Sequence, residues 1–389
     1  MALSCMRTVS WRATVAAICA AGGLAVTTGS ASAALPTVPP GFSVKQFAVG
    51  SSTTSKPDDI VRLDGHLVVA WQNGVGPQGE PGPSGTTSTV IEYDDSGHVL
   101  NQWAPTGRVD GLGADRAKHL VYLTVNEDAN SSFYVLDPGA PAGSQLRHLT
   151  YNDPSGVISG GTDAVSVDPR GNVYLSASNP AAADSNAVAL AKVDSPSVGQ
   201  VTVSKTFDDN FGPVPDGNHP GSTTTLALTD PDSNAFVPQA SPRFAHDFVL
   251  DSQGDGKLVF APMGLSSATP SSQLTELSLS VPGAAGQPVL DDVRWASHDD
   301  GVLYIVDQGA GIVFRVSGPF RGGSAFGSQP TDPSNPPLQS DVVNVNLSDG
   351  TESAFATGLS SPKGLLYVAP RDDRNQGDRH DGRDDGEGR

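Results

Sequence analysis

Short apolar runs separated by polar turns make up most of the chain after residue 34. The runs are rich in Val, Leu, Tyr and Phe, and clusters of Gly, Pro, Asn, Asp and Ser lie between them. Apolar positions at the 3.6-residue period of a helix are hard to find in this part. The pattern is typical of many short strands joined by turns, so it predicts an all-β fold.

One strand–turn–strand unit recurs along the chain. Each copy begins with an acidic residue, continues as an apolar strand and a polar turn, and ends in a second strand. The copies are DIVRLDGHLVVAWQNG from Asp59, DGLGADRAKHLVYLTVNED from Asp110, DAVSVDPRGNVYLSASN from Asp163, DFVLDSQGDGKLVFAPMG from Asp247 and DVRWASHDDGVLYIVDQG from Asp292, followed by a shortened KGLLYVAP from Lys363. Further strand-like runs follow most copies, which gives roughly four strands per unit.

A four-stranded unit repeated in this way is the signature of a β-propeller. We therefore predict a propeller of four-stranded antiparallel blades, with six blades favoured and seven possible. The count stays open because 84 residues separate the third and fourth copies. They include TTTLALTDPDSNAFV, which is either an insertion or part of a degenerate blade. The early strand FSVKQFAV is predicted to join strands from the C-terminal end, because that closes the ring and leaves no open edge.

The repeats also resemble a known group of proteins. VSVDPRGNVYLS and VLYIVDQGAGIVFRV resemble the repeats of NHL-type and gluconolactonase-type propellers, a superfamily with six blades. PPGFSVKQFAVG and FATGLSSPKGLLYVAP resemble the ends of secreted sugar-dehydrogenase-like propellers. The resemblance covers nearly all of residues 38–370. It implies the fold and leaves the activity open, because many activities share such phrases.

Both ends of the chain are predicted to lie outside a single propeller domain, residues 34–370. Residues 1–33 are typical of a signal peptide, with two arginines before the apolar run ATVAAICAAGGLAV and small residues at the cleavage site. That run is shorter than the roughly 20 apolar residues of a membrane anchor. We predict a secreted, extracellular protein of bacterial type. Residues 371–389 contain no apolar residue and predict a disordered charged tail.

The acidity of the chain bears on its partners. A formal net charge of −19 disfavours nucleic acid, whose binding depends on basic contacts to phosphate. The leading carboxylates of the repeats are expected to converge at one mouth of the central channel: Asp59, Asp110, Asp163, Asp247 and Asp292. Like charges so close raise one another's pKa or recruit a cation, and oxygen-only ligands suit Ca²⁺ or Mg²⁺.

A structural role for the same carboxylates is the alternative. In that case each Asp accepts hydrogen bonds from backbone amides where its own blade begins, and Lys363 neutralises part of the ring. The long loop NGVGPQGEPGPSGTTS is expected on the same face. Its collagen-like triplets are too few for a triple helix, and its prolines stiffen it as a rim loop. Further polar residues are expected there: Asn73, Asn126, Glu127, Asp128, Asn179, Asp307 and Gln308.

A second constellation is PRFAHDF, which brings Arg243 and His246 close to Asp247. A histidine beside a carboxylate can act as a general base, and an arginine can stabilise a developing oxyanion. These two are therefore the candidate catalytic residues if the protein is an enzyme. No complete catalytic set is visible in the sequence.

The sequence is compatible with three functions. The leading hypothesis is a secreted, monomeric binding protein with a divalent cation at the channel mouth. Its extracellular ligand would be a protein, a glycan or a small molecule. The alternative is an extracellular enzyme of the lactonase-like or quinone-dependent sugar dehydrogenase-like kind. A weaker third is a wall-associated protein tethered by its charged tail.

Overall fold

The computed structural model describes residues 34–370 apart from 159, 179–185, 194–198, 285 and 331–339. The described residues form β-strands and two 3₁₀ helices, Gln253–Asp255 and Ser271–Gln273, and contain no α-helix. The all-β prediction is therefore confirmed. The predicted signal peptide, the predicted tail and Asn179 lie outside the described residues.

Four of the sheets have four antiparallel strands each. Numbered along the chain and given in sheet order, they are as follows. The first contains β2 (Pro57–Leu63), β3 (His66–Trp71), β4 (Thr89–Tyr93) and β5 (Val99–Trp103). The second contains β16 (Pro231–Phe236), β17 (Phe248–Ser252), β18 (Lys257–Ala261) and β19 (Thr275–Ser278). The third contains β20 (Asp292–Trp295), β23 (Ala325–Gln329), β24 (Asp341–Val345) and β25 (Glu352–Ala356). The fourth contains β1 (Ser43–Val49), β22 (Ile312–Gly318), β21 (Gly301–Asp307) and β26 (Pro362–Val368).

A larger sheet has eight strands. One half contains β6 (Val109–Asp115), β7 (Leu120–Val125), β8 (Ser132–Leu136) and β9 (Leu146–Asn152). The other half contains β10 (Val165–Val167), β11 (Val173–Ser176), β12 (Asn186–Val193) and β13 (Gln200–Asp208). Each half is antiparallel, and the halves meet where β9 and β13 pair in parallel. A small sheet joins β14 (Val214–Pro215) to β15 (Thr223–Thr224).

Six strands form a closed circle of contacts at the centre. In order they are β2, β6, β10, β16, β20 and β26, and β26 contacts β2 again. We call them the inner strands. Because a four-stranded sheet or one half of the eight-stranded sheet extends away from each of them, the sheets are arranged like the blades of a propeller.

The hydrophobic core is divided into layers between neighbouring sheets. In one layer Val68 of β3 and Leu123 of β7 are both fully buried. In another, Val69 of β3 and Val306 of β21 belong to the same cluster. Alternating residues of each strand face the two layers, which is why the strands read as apolar runs.

The structure corrects the alignment of the fourth repeat. Phe248–Ser252, predicted as a first strand led by Asp247, is the second strand of its sheet. The first strand is β16, from the segment PDSNAF, which pairs antiparallel with β17. The long gap before Asp247 therefore contains the start of this sheet.

The fifth repeat is corrected in a different way. Its two predicted strands, β20 and β21, were expected to pair as a hairpin. Instead β20 pairs with β23, and β21 pairs with β22 and β26. The chain thus leaves the third sheet after one strand, adds two strands to the fourth, and returns. The last two sheets are interlaced.

The closure predicted from FSVKQFAV is confirmed. β1 pairs antiparallel with β22 in the sheet whose inner strand is β26. The first strand of the described chain therefore completes the sheet built from its last one, and an edge that would otherwise be open is paired.

Candidate functional site

The beginnings of the inner strands surround a cavity of about 130 Å³, which we call the acidic cavity. Its acidic lining residues are Asp58, Asp59, Asp110, Glu127, Asp163, Asp230, Asp232, Asp291 and Asp292, and its basic ones are Arg108, Arg294 and Lys363. Four of the five predicted ring residues are therefore brought together, and Asp247 is not. Acidic groups outnumber basic ones by three to one.

Asp59 and Asp292 link neighbouring inner strands. Asp59 accepts hydrogen bonds from the Ile60 N–H of its own strand and from the Leu112 N–H of the neighbouring inner strand β6, both at 2.6 Å. Asp292 accepts from the Leu365 N–H at 2.7 Å in the same manner. These two carboxylates therefore have the backbone-anchoring role that was the structural alternative for the ring.

Asp110 is held by an arginine. Its Oδ1 lies 2.9 Å from Arg108 Nε and accepts from Gln72 Nε2 at 2.9 Å. Arg108 also pairs with Glu127. The buried Oδ2 of Asp110 has no hydrogen-bond partner among the described residues. Burial raises the pKa of Asp110 well above its usual value, although Arg108 opposes this.

Lys363 neutralises another part of the cavity, as the sequence suggested. Its ammonium pairs with Asp291. Burial alone would lower the pKa of Lys363, but the carboxylates of Asp291 and Asp58 outweigh it and raise the pKa. Asp58 accepts from Gln308 Nε2 at 2.8 Å. Burial, opposed by Lys363 and reinforced by Asp291, raises the pKa of Asp58 to about 8.

Asp163, Asp230 and Asp232 form the part of the cavity without a neutralising partner. None of the three carboxyl groups has an ion pair or a side-chain hydrogen bond within the described part of the chain. Burial and then Glu127 raise the pKa of both Asp163 and Asp230, the latter to about 6. Burial and then Asp163 raise the pKa of Asp232. Burial and mutual repulsion therefore favour a proton or a cation at these carboxyl groups.

The donor chemistry of these residues suits a hard cation, because every side-chain donor is oxygen. Within the described ranges, however, no three His, Cys, Asp or Glu side chains are already arranged as a metal site. Calcium or magnesium binding therefore stays a prediction. Any such ion would have to draw the unpaired carboxylates together against their mutual repulsion.

Arg243 and His246 do not line the acidic cavity. The Arg243 guanidinium donates to the Leu347 carbonyl at 2.7 Å and the Gly217 carbonyl at 2.9 Å, and lies 4.4 Å from the Phe244 ring centroid. It thus fastens loops together. His246 is exposed beside Asp247, whose pKa burial raises to about 6. The predicted catalytic pair and the carboxylates are therefore not assembled into one site.

The residues that sequence reasoning missed come mostly from the misaligned repeat. Asp230 and Asp232 precede and begin β16 and take the place assigned to Asp247. The signal was present, since DPDSNAF is followed by the polar turn and apolar strand expected of a repeat. Arg108 and Arg294 gave no signal, because each flanks a predicted carboxylate two residues away and looked like an ordinary strand position.

The rim loop lies on the face of the acidic cavity, as predicted. It joins β3 to β4 and rests on the turn after β7. The Pro77 carbonyl accepts from the Asp128 N–H at 3.2 Å, and the Gln78 carbonyl accepts from Asn130 Nδ2 at 3.2 Å. That turn carries Glu127, so the loop borders the cavity.

Known structures include propellers similar to this chain. One protein named as a gluconolactonase has 11% identity and a TM-score of 0.49, over 86% of this chain and 87% of that one. The periplasmic gluconolactonase of Pseudomonas aeruginosa has 15% identity and a TM-score of 0.46, over 81% and 89%. Virginiamycin B lyase of Staphylococcus aureus has 11% identity and a TM-score of 0.40, over 79% and 97%.

At identities of 15% or less, such a likeness concerns the fold alone. Likenesses at such TM-scores say nothing about what this chain does, and the propeller-like fold rests on its own sheets. No protein-family model and no curated protein sequence matches the chain. In the described part of the chain, no helix has the length and apolar character needed to cross a membrane.

Proposed function

We propose that the protein is a secreted, six-bladed propeller that binds a divalent cation, calcium in preference, in its acidic cavity. The count of six is supported by the circle of six inner strands and by the two four-stranded halves of the eight-stranded sheet. The observation that carries the cation is the set of unpaired carboxyls, Asp163, Asp230 and Asp232. They lie on the beginnings of two neighbouring inner strands.

The other carboxyls of the cavity already have partners, which supports a cation on this side of it. Asp59 accepts from two backbone N–H groups, and Asp58 accepts from Gln308. Arg108 neutralises Asp110 and Glu127, Lys363 neutralises Asp291, and Arg294 lies within ion-pair distance of Asp292. A calcium ion accepts six to eight oxygen ligands in flexible geometry. Three carboxylates, backbone carbonyls and water can supply that number.

Thermal unfolding tests the cation. The purified protein is unfolded in chelator and then with millimolar Ca²⁺ or Mg²⁺. A site filled at a hundred times its dissociation constant adds about 2.7 kcal/mol to the free energy of unfolding, so we expect a clear rise in the midpoint with calcium. Asp163→Asn together with Asp232→Asn should abolish the rise.

Asp247→Asn is the matched control. It removes one carboxylate from the same repeat, at a position outside the cavity, and should keep the full response to calcium. The proposed cation site is rejected if neither ion raises the unfolding midpoint of the wild-type protein. It is also rejected if Asp247→Asn removes the response as completely as the double variant does.

The proposed partner is an extracellular ligand held at the face formed by the rim loop and the cavity mouth. The loop is held by hydrogen bonds to the turn after β7, so little ordering entropy is lost when a ligand contacts it. In this role the cation neutralises the cavity and supports the binding face.

A lactonase-like hydrolase is the second candidate. The observation that favours it is the titration range of two cavity carboxyls, since burial raises the pKa of Asp58 to about 8 and that of Asp59 to about 7. A carboxyl that titrates near neutral pH is suited to general acid–base chemistry. A cation beside it, when bound, would polarise a carbonyl.

Hydrolysis of glucono-1,5-lactone separates the two functions. A hydrolase should turn over the lactone in calcium and lose at least about 100-fold in rate in Asp58→Asn. If calcium-loaded protein gives only the spontaneous rate, the hydrolase is rejected and the binding function stands. His246→Asn should leave any rate unchanged, because His246 lies outside the cavity.

A further inference from the structure

A second, larger cavity of about 720 Å³ lies at the other ends of the inner strands. It is lined by the later residues of those strands and by the turns that follow them. Arg294 lines both cavities, so it stands between them. The volume is within the range of about 300–1,000 Å³ that is usual for small-molecule sites. We call it the basal cavity.

The walls of the basal cavity are largely apolar. Four different inner strands contribute one apolar side chain each that is only partly buried: Ala114, Val167, Phe236 and Leu366. Trp295 of a fifth inner strand also lines it. Apolar side chains on every side of a concave space favour a ligand with an apolar body, because its burial removes this surface from water.

The charged residues of the basal cavity are mainly basic. They are Arg62, Arg116, Lys118, Arg170 and Arg294, against Asp115 and Asp168. This excess of positive charge occurs in a chain whose formal net charge is −19. Arg62 pairs with Asp95 and Arg294 with Asp292, so the positive charge that can attract an anion at the basal end lies on the other basic residues.

The two acidic groups of the basal cavity are committed to their own turns. Asp115 accepts from Lys118 Nζ at 2.7 Å and from the Tyr122 hydroxyl at 3.1 Å. Asp168 accepts from the Arg170 N–H at 2.9 Å and from Asn172 Nδ2 at 2.7 Å. Neither carboxylate therefore neutralises an arginine guanidinium at the cavity mouth.

Arg116 and Arg170 are consequently unpaired. Both side chains are exposed, and neither has an ion pair or a side-chain hydrogen bond with any part of the chain that the structure describes. The turn that carries Arg116 lies beside the turn that carries Arg170. Lys118 Nζ of the first is 3.8 Å from the position that a Cβ atom on Gly171 of the second would occupy. Two unpaired guanidinium groups thus border one apolar cavity.

We propose that the basal cavity binds a small amphipathic carboxylate. The apolar body occupies the space between the inner strands, and Arg116 and Arg170 bind the carboxylate at the mouth. A guanidinium matches a carboxylate through two parallel hydrogen bonds. The site is distinct from the acidic cavity and does not depend on which function that cavity has.

Isothermal titration with octanoate tests this, and 1-octanol is the neutral comparison. The measurement is made in chelator at low salt, so that the acidic cavity takes no part. The wild-type protein should bind octanoate at least ten times more tightly than octanol. The Arg116→Gln/Arg170→Gln double variant should weaken octanoate at least tenfold and leave octanol unchanged.

Arg321→Gln is the matched control, because Arg321 is an exposed arginine that does not line the basal cavity. It should bind octanoate as the wild type does. Arg116 and Arg170 lie on exposed turns. Unfolding midpoints equal to that of the wild type will show that the variants are folded. The proposal is overturned if octanoate does not bind, if octanol binds equally well, or if Arg321→Gln weakens octanoate as much as the double variant.

A binding experiment with anionic vesicles tests whether the arginines contact a lipid surface. Binding to phosphatidylglycerol vesicles without binding to free octanoate would show that the arginines face a lipid surface instead of a small ligand. That result also overturns the proposal.

Discussion

The carboxylates of the acidic cavity have different structural roles. Asp59 anchors the backbone of a neighbouring strand, Asp110 pairs with an arginine, and Asp163 has neither kind of partner. All three occupy the same position of the repeat. What distinguishes them is the partner that each one finds, and a carboxylate left without a partner is the natural cation ligand.

Arg108 should be essential to the fold in the absence of metal. Arg108→Met leaves Asp110 and Glu127 buried without a counter-charge, so we expect a loss of about 3 kcal/mol or more in the free energy of unfolding in chelator. Calcium should recover part of this loss by supplying positive charge to the same cavity. Denaturant unfolding with and without calcium measures both effects.

The control for Arg108 is Lys205→Met. Lys205 pairs with Asp208 at the surface, where such a pair contributes about 1 kcal/mol or less. If Arg108→Met is no more destabilising than this exposed variant, the buried carboxylates do not need the arginine.

Substitutions of Arg243 and of His246 should affect the free energy of unfolding differently, although the two residues are only three positions apart. Arg243→Met removes charge-assisted hydrogen bonds to two loop carbonyls, and we expect a loss of about 2 kcal/mol. His246 is exposed and has a positive φ of 70°, a conformation that asparagine accepts more readily. His246→Asn should therefore cause no loss, and equal losses in the two variants would contradict these assignments.

Much of the site could be predicted from the sequence, and its partners could not. Four ring carboxylates follow from the repeat because each has the same place in its unit. Asp232 was missed because its unit was aligned one strand too late. The pairing of Arg108 with Asp110 and Glu127 joins the beginning of β6 to the turn after β7, and spacing within one strand does not reveal the contact with Glu127.

At the scale of elements, the interlaced third and fourth sheets are the most unusual feature. The sequence placed β20 and β21 in one hairpin because two apolar runs joined by SHDDG satisfy hairpin grammar. Which strands pair depends on how the apolar layers between the sheets pack. The apolar pattern of β20 is the same whether its partner is β21 or β23, so the sequence does not distinguish the two. The closure by β1 was predictable because a ring with an open edge is unfavourable.

Phe47 should carry much of the stability of that closure. It is buried in β1, with its ring centroid 5.0 Å from that of Tyr304 and 5.6 Å from that of Tyr93, and so joins the closing sheet to the first one. Phe47→Ala should cost about 3 kcal/mol or more. Denaturant unfolding at equal protein concentration measures this.

Val49 of the same strand is the comparison. Its side chain is 61% exposed, so Val49→Ala should change the free energy of unfolding by about 0.5 kcal/mol or less. A large loss in Val49→Ala, or a small one in Phe47→Ala, would mean that β1 is not anchored through its buried face.

At the scale of the whole molecule, the two ends of the channel divide the charge. The acidic cavity concentrates carboxylates, and the basal cavity has the excess of arginines. The total of −19 was visible in the sequence, but this polarity was not. It arises because the beginning and the end of an inner strand lie at opposite ends of one channel, so that Asp110 and Arg116, six positions apart, line different cavities.

Stability should fall as pH rises in chelator. Raised pKa values, to about 8 for Asp58, about 7 for Asp59 and about 6 for Asp230, mean that the folded state binds more protons than the unfolded state. The free energy of unfolding therefore decreases with pH through this range. Since one pKa unit corresponds to about 1.4 kcal/mol, we expect the free energy of unfolding to fall by several kcal/mol between pH 5 and pH 8.

Calcium should reverse this trend. It competes with protons at Asp163, Asp230 and Asp232, so the rise in unfolding midpoint that it causes should be large at pH 8 and small at pH 5. Unfolding scans at both pH values with and without calcium measure this. A calcium increment that is equal at both would show that the ion binds outside the acidic cavity.

The closing sheet also fixes an order of events during synthesis. β1 leaves the ribosome before every other strand of the described chain, yet its partner β22 and the inner strand β26 are among the last to be made. The first-made strand must stay unpaired through almost the whole of translation. A chain that stops before β26 keeps both ends of its ring open, so full-length synthesis is itself a condition for the native fold.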